Sequence, residues 1–481
     1  MEDLPAKVTT MGGEKKPDMT QHFIVLGGGI AGLTAGLELL KTGQRVTLIE
    51  KGTVVGGLAR TFERDGFRFD IGGHRFHSNN PSVVAWVKEL LKEDLLTVPR
   101  ISHMHLEGKF VDYPLQFPQS LSVFSPSRAI QMGASYLMAK FQRDGRPDVS
   151  FEDWVVCRFG RAMYGVFIEP YTRKVWGILC SEISAQWASQ RIGIPSMWGA
   201  LKEVILPSKN LATAIKKFYY PRRGFGMIPD AIARDILARG GQLETETSLA
   251  GLMPEAAGFE VTVRHRNGLT KTLKADQIVS TIPLHFLLEA IPASLGSREV
   301  LEQYQLEYRD IICLFIALKK PQVSRDSWTY FPSDKLIFGR THEPKNWSPE
   351  MVPGADCTSL AVEIFSSRGE EIWSWPDETI LEKVVPQLEE IGWIGRRDIF
   401  KWWVVRVPFA YPVYRVGYEA KLQHISHYLA QWPNLHLLGR SGSFKYMNSD
   451  GVIEDVFRFM DEMFGLQAGT RQLSVEGGRW V

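Results

Sequence analysis

The sequence contains few cysteines, no long apolar run and no internal repeat. Its four cysteines are Cys157, Cys180, Cys313 and Cys357, and no two of them form a C-x-x-C pair. This spacing argues against a disulfide scaffold and a zinc site, and it indicates free thiols in a reducing cytoplasm. The longest apolar stretch, 311–318, is far shorter than the roughly 20 residues that span a bilayer, so no transmembrane segment is predicted.

An excess of charge of one sign is also absent. The chain has 56 basic and 54 acidic residues, which argues against a nucleic-acid partner and a polybasic membrane anchor. Residues 1–20 are polar and lack the apolar core of a secretory signal, so we expect a disordered tail there. With 481 residues, 44% of them hydrophobic, the chain has room for two or three domain-sized units.

The strongest motif lies at 23–32, where an apolar run leads directly into a G-x-G-x-x-G pattern. In this pattern Gly27 permits the sharp turn, Gly29 lets the backbone approach a pyrophosphate, and Gly32 lets the new helix lie against the sheet. The N-terminus of that helix then attracts the phosphates. A second apolar strand ends at Glu50, which is placed to bind a ribose 2′-hydroxyl and argues against a 2′-phosphate. The unit therefore predicts FAD or NAD rather than NADP.

A second glycine pair, Gly56-Gly57, follows one short loop later and is itself followed by a basic residue, Arg60. With the first motif, this pair resembles the two-dinucleotide-binding motif of an FAD-dependent superfamily that contains amine oxidases, protoporphyrinogen oxidases and UDP-galactopyranose mutases. The segment 436–450 resembles the last FAD motif of the same superfamily. The resemblance implies that the dinucleotide is FAD.

The resemblance also implies a set of cofactor-binding residues that are spread over several loops. They are Gly27, Gly29, Ile30, Ala31, Gly32, Glu50, Lys51, Gly57, Leu58, Ala59, Arg60, Gly73, His74, Thr281, Gly439, Arg440, Asn448 and Asp450. The run 448–450 departs from the family, because it reads Asn-Ser-Asp where the mutases have Asp-Met-Asp.

Residues on the substrate side are implied by the same resemblance. The loop 72–78 is similar to the mutase loop that passes over the isoalloxazine, and 167–177 is similar to a Tyr-Thr-x-Lys-x-Trp-Gly stretch of the mutase substrate domain. The implied catalytic residues are His74, Arg309, Tyr411 and Tyr446. The implied substrate-binding residues are Tyr171, Trp176 and Arg191.

Several of these side chains also have a purely structural interpretation. Arg309 stands beside Glu307 and Asp310, either of which could hold it in a salt bridge. Tyr171 and Trp176 lie among apolar residues, a setting in which aromatic side chains usually pack in a core. Both interpretations stay open at the level of sequence.

The predicted fold class is α/β, with a Rossmann-type FAD-binding domain interleaved with a substrate domain. We expect the FAD-binding domain to be discontinuous and to comprise 21–100, 218–290 and 433–481. The substrate domain is expected to consist of a helical insertion, 101–217, and a mainly antiparallel, β-rich part, 291–432.

Three functions are compatible with the resemblance. The first is a mutase-like reaction on a nucleotide sugar through N5 of the reduced flavin, for which a reductant such as NAD(P)H is a compatible partner. The second is oxidation of a substrate C–H by an enzyme of the amine oxidase or protoporphyrinogen oxidase type, with oxygen or a quinone as acceptor. The third, a non-catalytic FAD-binding protein of the Rab-escort kind, is disfavoured by the intact glycine motifs. We expect a cytoplasmic enzyme with a small-molecule substrate, and the sequence leaves the oligomeric state open.

Overall fold

A computed structural model describes residues 20–114, 123–141, 147–191 and 217–465 of the chain. Apart from Thr20, the predicted tail 1–20 lies outside the described residues. The strands of the described part are His22–Leu26 (β1), Arg45–Ile49 (β2), Thr61–Arg64 (β3), Phe67–Asp70 (β4), Leu95–Pro99 (β5), Ser102–Leu106 (β6), Lys109–Asp112 (β7), Lys217–Pro221 (β8), Gln242–Glu244 (β9), Thr247–Glu255 (β10), Gly258–His265 (β11), Thr270–Ala275 (β12), Gln277–Ser280 (β13), Tyr308–Leu318 (β14), Trp328–Tyr330 (β15), Arg340–His342 (β16), Thr358–Ser366 (β17), Ile399–Pro412 (β18) and Leu435–Leu437 (β19).

The helices follow the same chain order. They are Ile30–Lys41 (α1), Pro81–Leu91 (α2), Pro126–Phe141 (α3), Phe151–Phe159 (α4), Arg161–Met163 (α5), Glu169–Trp176 (α6), Ala185–Arg191 (α7), Met227–Ala238 (α8), Leu284–Ala290 (α9), Ser297–Gln303 (α10), Asp377–Glu390 (α11), Tyr418–Leu429 (α12), Gly439–Gly442 (α13) and Ser449–Phe464 (α14). Within the described ranges, no helix combines the length and the apolar character that crossing a membrane requires.

A five-stranded parallel sheet forms one half of the molecule, in the strand order β19-β13-β1-β2-β9. Its central strand β1 pairs in parallel with β2 and β13. Phe23, Ile24 and Val25 are fully buried, which explains why β1 is an unbroken apolar run: helices and further strands cover both faces of the sheet. Because the strands come from segments that are far apart in the chain, the interleaved Rossmann-type fold is confirmed. The predicted domain limits stay a prediction.

A seven-stranded sheet forms the other half, in the order β18-β14-β17-β16-β15-β6-β7. Its longest contacts are antiparallel, between β14 and its neighbours β17 and β18. Apart from Tyr308, β14 is buried along its whole length, since helices and loops pack on both sides of the sheet. The β-rich part expected at 291–432 supplies five of these strands, and the other two come from earlier in the chain.

The sheet corrects one detail of the predicted helical insertion. Residues 102–112 form a β-hairpin that pairs with β15, although this stretch was included in the insertion at 101–217. Strand β6 alternates buried and half-buried residues, and both turn residues, Glu107 and Gly108, have a positive φ as a type I′ turn requires. Helices do follow later, at 126–141 and 151–191.

Candidate active site

A cavity of about 1600 Å³ extends from the carboxyl ends of the parallel strands to the seven-stranded sheet. This is the edge at which open α/β sheets bind ligands. Of the residues predicted to bind the cofactor, all line this cavity except Gly32 and Gly439. Two neighbouring glycine loops and the start of α14, which is distant from them in sequence, therefore meet around one space.

The first glycine loop has the close packing that its motif predicts. A Cβ atom added at Gly32 would lie only 1.9 Å from the carbonyl oxygen of Gly27, so the start of α1 rests directly on the end of β1. At Gly29, which lines the cavity, an added Cβ would meet nothing within 4 Å. The free space beside Gly29 is where a pyrophosphate approaches such a loop.

Glu50 ties the first loop to the end of β2. Its Oε2 accepts a hydrogen bond from the backbone N–H of Gly28 at 2.7 Å, and its Oε1 accepts one from Gly52 at 2.6 Å. A carboxylate has further lone pairs, so these bonds leave acceptor capacity for a ribose hydroxyl. The second glycine loop joins the first through the N–H of Gly56, which donates to the carbonyl of Gly28 at 2.7 Å.

His74 lies in the wall of the cavity against the ring of Phe225, with 5.3 Å between the ring centroids. Burial lowers the pKa of His74 to about 4, and nearby arginines act in the same direction while Glu363 opposes it. The imidazole is therefore neutral near pH 7. Its Nδ1 is buried and has no hydrogen-bond partner among the described residues.

Arg440 packs over two tyrosines that the sequence also predicted. Its guanidinium carbon lies 4.7 Å from the ring centroid of Tyr411 and 4.2 Å from that of Tyr446. The two rings are stacked, with centroids 6.1 Å apart, and all three side chains line the cavity. Burial is the main reason that the pKa of Tyr411 is raised to about 12, so its hydroxyl is protonated near pH 7. The buried Nε of Arg440 has no partner in the described part of the chain.

Arg340 and Glu363 form a buried ion pair that sequence reasoning missed. They are directly opposite each other on β16 and β17, and Nε of Arg340 donates to Oε1 of Glu363 at 2.9 Å. The same oxygen accepts from the N–H of Gly73 at 3.1 Å, which fixes the loop that carries His74. Burial alone would raise the pKa of Glu363, but Arg340 holds it at about 2. A glutamate inside the apolar run of β17 was the available signal, because a buried acid needs a partner.

Arg309, in contrast, is not among the residues that line the cavity, and its predicted catalytic role stays a prediction that its contacts do not support. The side chain is 4% exposed, and its nitrogens donate to the carbonyls of Val175 and Phe365, to the hydroxyl of Ser367 at 2.7 Å and to Glu370. It thus satisfies the C-terminal end of α6 and joins that helix to the sheet. The salt-bridge interpretation holds, although the partner is neither Glu307 nor Asp310.

The predicted substrate-binding aromatic residues also lie behind the cavity wall. Trp176 is 5% exposed and packs edge-on against Trp187, with 4.9 Å between the ring centroids. Tyr171 packs edge-on against Tyr330 at 5.5 Å. Neither residue lines the cavity. Trp176 packs in the core, whereas Tyr171 is half-buried, and direct substrate contact stays a prediction for both. Arg191 ends α7, but its side chain lies outside the described residues.

The chain has relatives of known sequence and structure. The family model of flavin-containing amine oxidoreductases matches residues 30–454. Protoporphyrinogen oxidase 1 of the Arabidopsis thaliana chloroplast is 25% identical over 297 residues, which cover 56% of this chain and 53% of that protein. The 4,4′-diaponeurosporene oxygenase of Staphylococcus aureus is 35% identical over 94 residues, 18% of this chain and 17% of that protein. The chain thus matches about half the length of the first relative and less of the second.

Solved structures resemble the chain over nearly its whole length. A reduced UDP-galactopyranose mutase matches with a TM-score of 0.81 at 22% identity, covering 93% of this chain and 95% of the mutase. A putrescine oxidase bound to putrescine matches with a TM-score of 0.62 at 14% identity, covering 93% and 100%. At such identities the likeness establishes the fold and leaves the reaction open.

The residues around the cavity fit FAD. The space beside Gly29 and the N-terminus of α1 suit a diphosphate. Buried nitrogens of His74 and Arg440 lack partners among the described residues, and unpaired buried polar atoms of this kind are rare without a ligand or water. Thr281 and Asn448 line the same space on the side of the last FAD motif.

Proposed function

Since this chain belongs to the flavin-containing amine oxidoreductase family and uses FAD, we propose that it is an enzyme that acts on a nucleotide sugar. The observation that carries the proposal is the positive charge of the cavity wall on the side of the seven-stranded sheet. Arg75, Arg100 and Arg340 line this wall together with Trp328 and Tyr330. The planar guanidinium group binds two phosphate oxygens at once and keeps its charge, so this wall suits a diphosphate.

Charge also argues against an amine as the substrate. An alkylamine is protonated near pH 7 and would meet several arginines of the same sign in this wall. Arg340 is neutralised by Glu363, whereas Arg75 and Arg100 form no ion pair within 4.0 Å in the described part of the chain. The excess positive charge of the wall therefore comes from Arg75 and Arg100.

Other side chains have roles that follow from their protonation states. Bound FAD would supply an electron-rich nucleophile or an electron carrier. His74, which is neutral near pH 7, is suited to hydrogen bonding rather than to donating a proton as imidazolium. Tyr411 keeps its hydroxyl proton and can act as a hydrogen-bond donor beside Arg440.

The test is an isomerase assay on the holoprotein, reduced with dithionite under anaerobic conditions. UDP-galactopyranose and UDP-galactofuranose are supplied separately, and chromatography follows their interconversion. We expect Arg75→Lys to lower kcat/KM at least about tenfold, because lysine keeps the charge but cannot form the bidentate contact. Arg234→Met, at an exposed position on α8, is the matched control. Absence of interconversion with FAD bound and reduced would contradict UDP-galactose as the substrate, and absence of UDP binding would contradict nucleotide sugars as a class.

A second candidate function is oxidation of a substrate that carries carboxylates. The match to a protoporphyrinogen oxidase favours this second function, and the same arginines would bind carboxylate groups. The two functions differ in their use of electrons. An oxidase reduces oxygen and releases peroxide at every turnover in air. An isomerase needs its flavin in the reduced state, but the reaction consumes no electrons. Peroxide formation with a porphyrinogen, together with no UDP binding, would favour the oxidase.

A further inference from the structure

Two arginines of the cavity wall lie on the same tryptophan. The guanidinium carbons of Arg75 and Arg100 are each 5.4 Å from the ring of Trp328. Trp328 is only 5% exposed, and all three residues line the cavity. Nη1 of Arg75 and Nε of Arg100 are buried and have no hydrogen-bond partner among the described residues.

The pair lies in the part of the cavity wall that contains Trp328 and Tyr330 of the seven-stranded sheet. Arg75 belongs to the loop that carries His74, and Arg100 lies in the short connection between β5 and β6. Strand β6 pairs with β15, which carries Trp328 and Tyr330. Tyr330 is itself the cross-strand partner of Arg340. Aromatic rings therefore connect the two arginines on Trp328 to the Arg340–Glu363 ion pair.

Two cations held together in this way are costly without an anion. Burial lowers the pKa of Arg75, and the charge of Arg100 lowers it further, while Tyr330 and Asp450 oppose the effect. Stacking on Trp328 offsets part of the cost, because a tryptophan face attracts cations. The pyrophosphate of FAD is not the missing anion, since the first glycine loop and the N-terminus of α1 are there to receive it.

We propose that Arg75 and Arg100, held on Trp328, form a subsite for a phosphoryl group of the substrate. The proposal rests on the proposed function in naming the substrate as the source of that group. The subsite is formed by the fold and is separate from the glycine loops. A group that carries two charges fits better than a single carboxylate, because each guanidinium can bind its own pair of oxygens. Tyr113, whose ring is 5.9 Å from the guanidinium of Arg100, closes the subsite on the side of the hairpin.

Calorimetric titration of the oxidised holoprotein with inorganic pyrophosphate tests the subsite directly. Arg75→Met and Arg100→Met keep most of the apolar stem and remove the charge, and each should weaken pyrophosphate binding at least about tenfold. Arg75→Lys and Arg100→Lys should lie between the wild type and the Met variants, since they keep charge but lose the fork. Arg234→Met serves as the control and should bind like the wild type. FAD content and thermal stability are measured for every variant, and the Lys variants carry the test if a Met variant does not fold.

Several outcomes would overturn the proposal. Equal pyrophosphate affinity in the wild type and all four variants would place the anion elsewhere, for example at Arg340. Loss of FAD from the Met variants, with the fold intact, would assign the pair to the cofactor. A dicarboxylate such as glutarate that binds as tightly as pyrophosphate, with the same dependence on Arg75 and Arg100, would overturn the phosphoryl assignment. The proposed function fails separately: arginine-dependent binding of pyrophosphate without binding of UDP keeps the anion subsite and rejects the nucleotide sugar.

Discussion

The two ends of the cavity are built in different ways. The dinucleotide end consists of backbone from short, contiguous segments, chiefly 27–32 and 56–60. The opposite wall consists of side chains that come from Arg75, Arg100, Trp328 and Arg340, which are far apart in the chain. Backbone groups at the first end suit a ligand that the whole fold shares, whereas the second end depends on individual side chains and can differ between relatives of the same fold.

The same difference appears in how each end is stabilised. The dinucleotide end depends on close backbone packing, as at Gly32 and at Gly439, where an added Cβ would lie 2.5 Å from the Cβ of Ala31. The opposite wall depends on a buried ion pair between β16 and β17. Substitutions at the two ends should therefore destabilise the protein in different ways. At the dinucleotide end the cause is steric overlap, and at the opposite wall it is an uncompensated charge.

Glu363→Gln should cause the largest loss of stability, about 3 kcal/mol, because it leaves Arg340, whose side chain is only 20% exposed, without its counter-charge. Glutamine has nearly the same volume as glutamate, so no cavity contributes to the loss. Glu343→Gln is the matched control, since Glu343 is equally buried but its pKa is raised by burial. Urea unfolding measures both variants. Equal losses would contradict the role of the ion pair.

The same pair predicts a pH dependence. The pKa of Glu363 is lowered from its ordinary value of 4.5 to about 2 in the folded protein, so the ionised form stabilises the fold. This contribution is complete above about pH 5 and is lost as the pH falls from about 4.5 to about 2. The stability difference between the wild type and Glu363→Gln should shrink over that interval. A difference that stays constant would show that Glu363 does not titrate there.

At the dinucleotide end, two glycine variants should separate folding from cofactor binding. Gly32→Ala should destabilise the protein by about 3 kcal/mol, because the new methyl group meets the carbonyl of Gly27. Gly29→Ala should leave the apoprotein unchanged but weaken FAD binding at least about tenfold, since its methyl group enters the free space of the loop. Gly133→Ala, at an open position in α3, is the control. Unfolding and FAD titration distinguish the variants, and normal FAD affinity of Gly29→Ala would contradict the assigned path of the pyrophosphate.

Sequence alone predicted the first end far better than the second. The first glycines and Glu50 could be identified because a phosphate-binding loop needs particular residues at a fixed spacing, and Arg440 because its segment resembles a family motif. Arg340 could not be identified in this way, since its function depends on Glu363, which is distant in sequence but adjacent in the sheet. The short β15 and β16, and the hairpin that extends the sheet beyond them, carry no periodicity strong enough to place their side chains.

Arg309 shows how a local pattern can mislead. An arginine at the start of a strand suits both a phosphate site and a salt bridge, and only the carbonyls at the end of α6 decide between them. Trp176 is a similar case, because an aromatic residue that lies beside Tyr411 can still belong to the core. In both cases the residue type indicated which interactions were possible. Only the tertiary structure shows in which direction the side chain points.

Among the variants at the ion pair, at the glycines and at Arg309, Arg309→Lys should have the smallest effect. This effect should be limited to the stability of the fold. Lysine cannot replace the hydrogen bonds that the guanidinium makes to Val175, Phe365 and Ser367, so we expect a loss of about 1–2 kcal/mol. Binding of pyrophosphate and UDP should be unchanged, because Arg309 does not line the cavity. Arg75→Lys should show the reverse emphasis, with weaker ligand binding as its main defect, because Arg75 lines the cavity and is not tied to a carboxylate among the described residues. Weaker UDP binding in Arg309→Lys at unchanged stability would return Arg309 to the site and remove the contrast between an arginine that joins a helix to a sheet and one that faces the ligand.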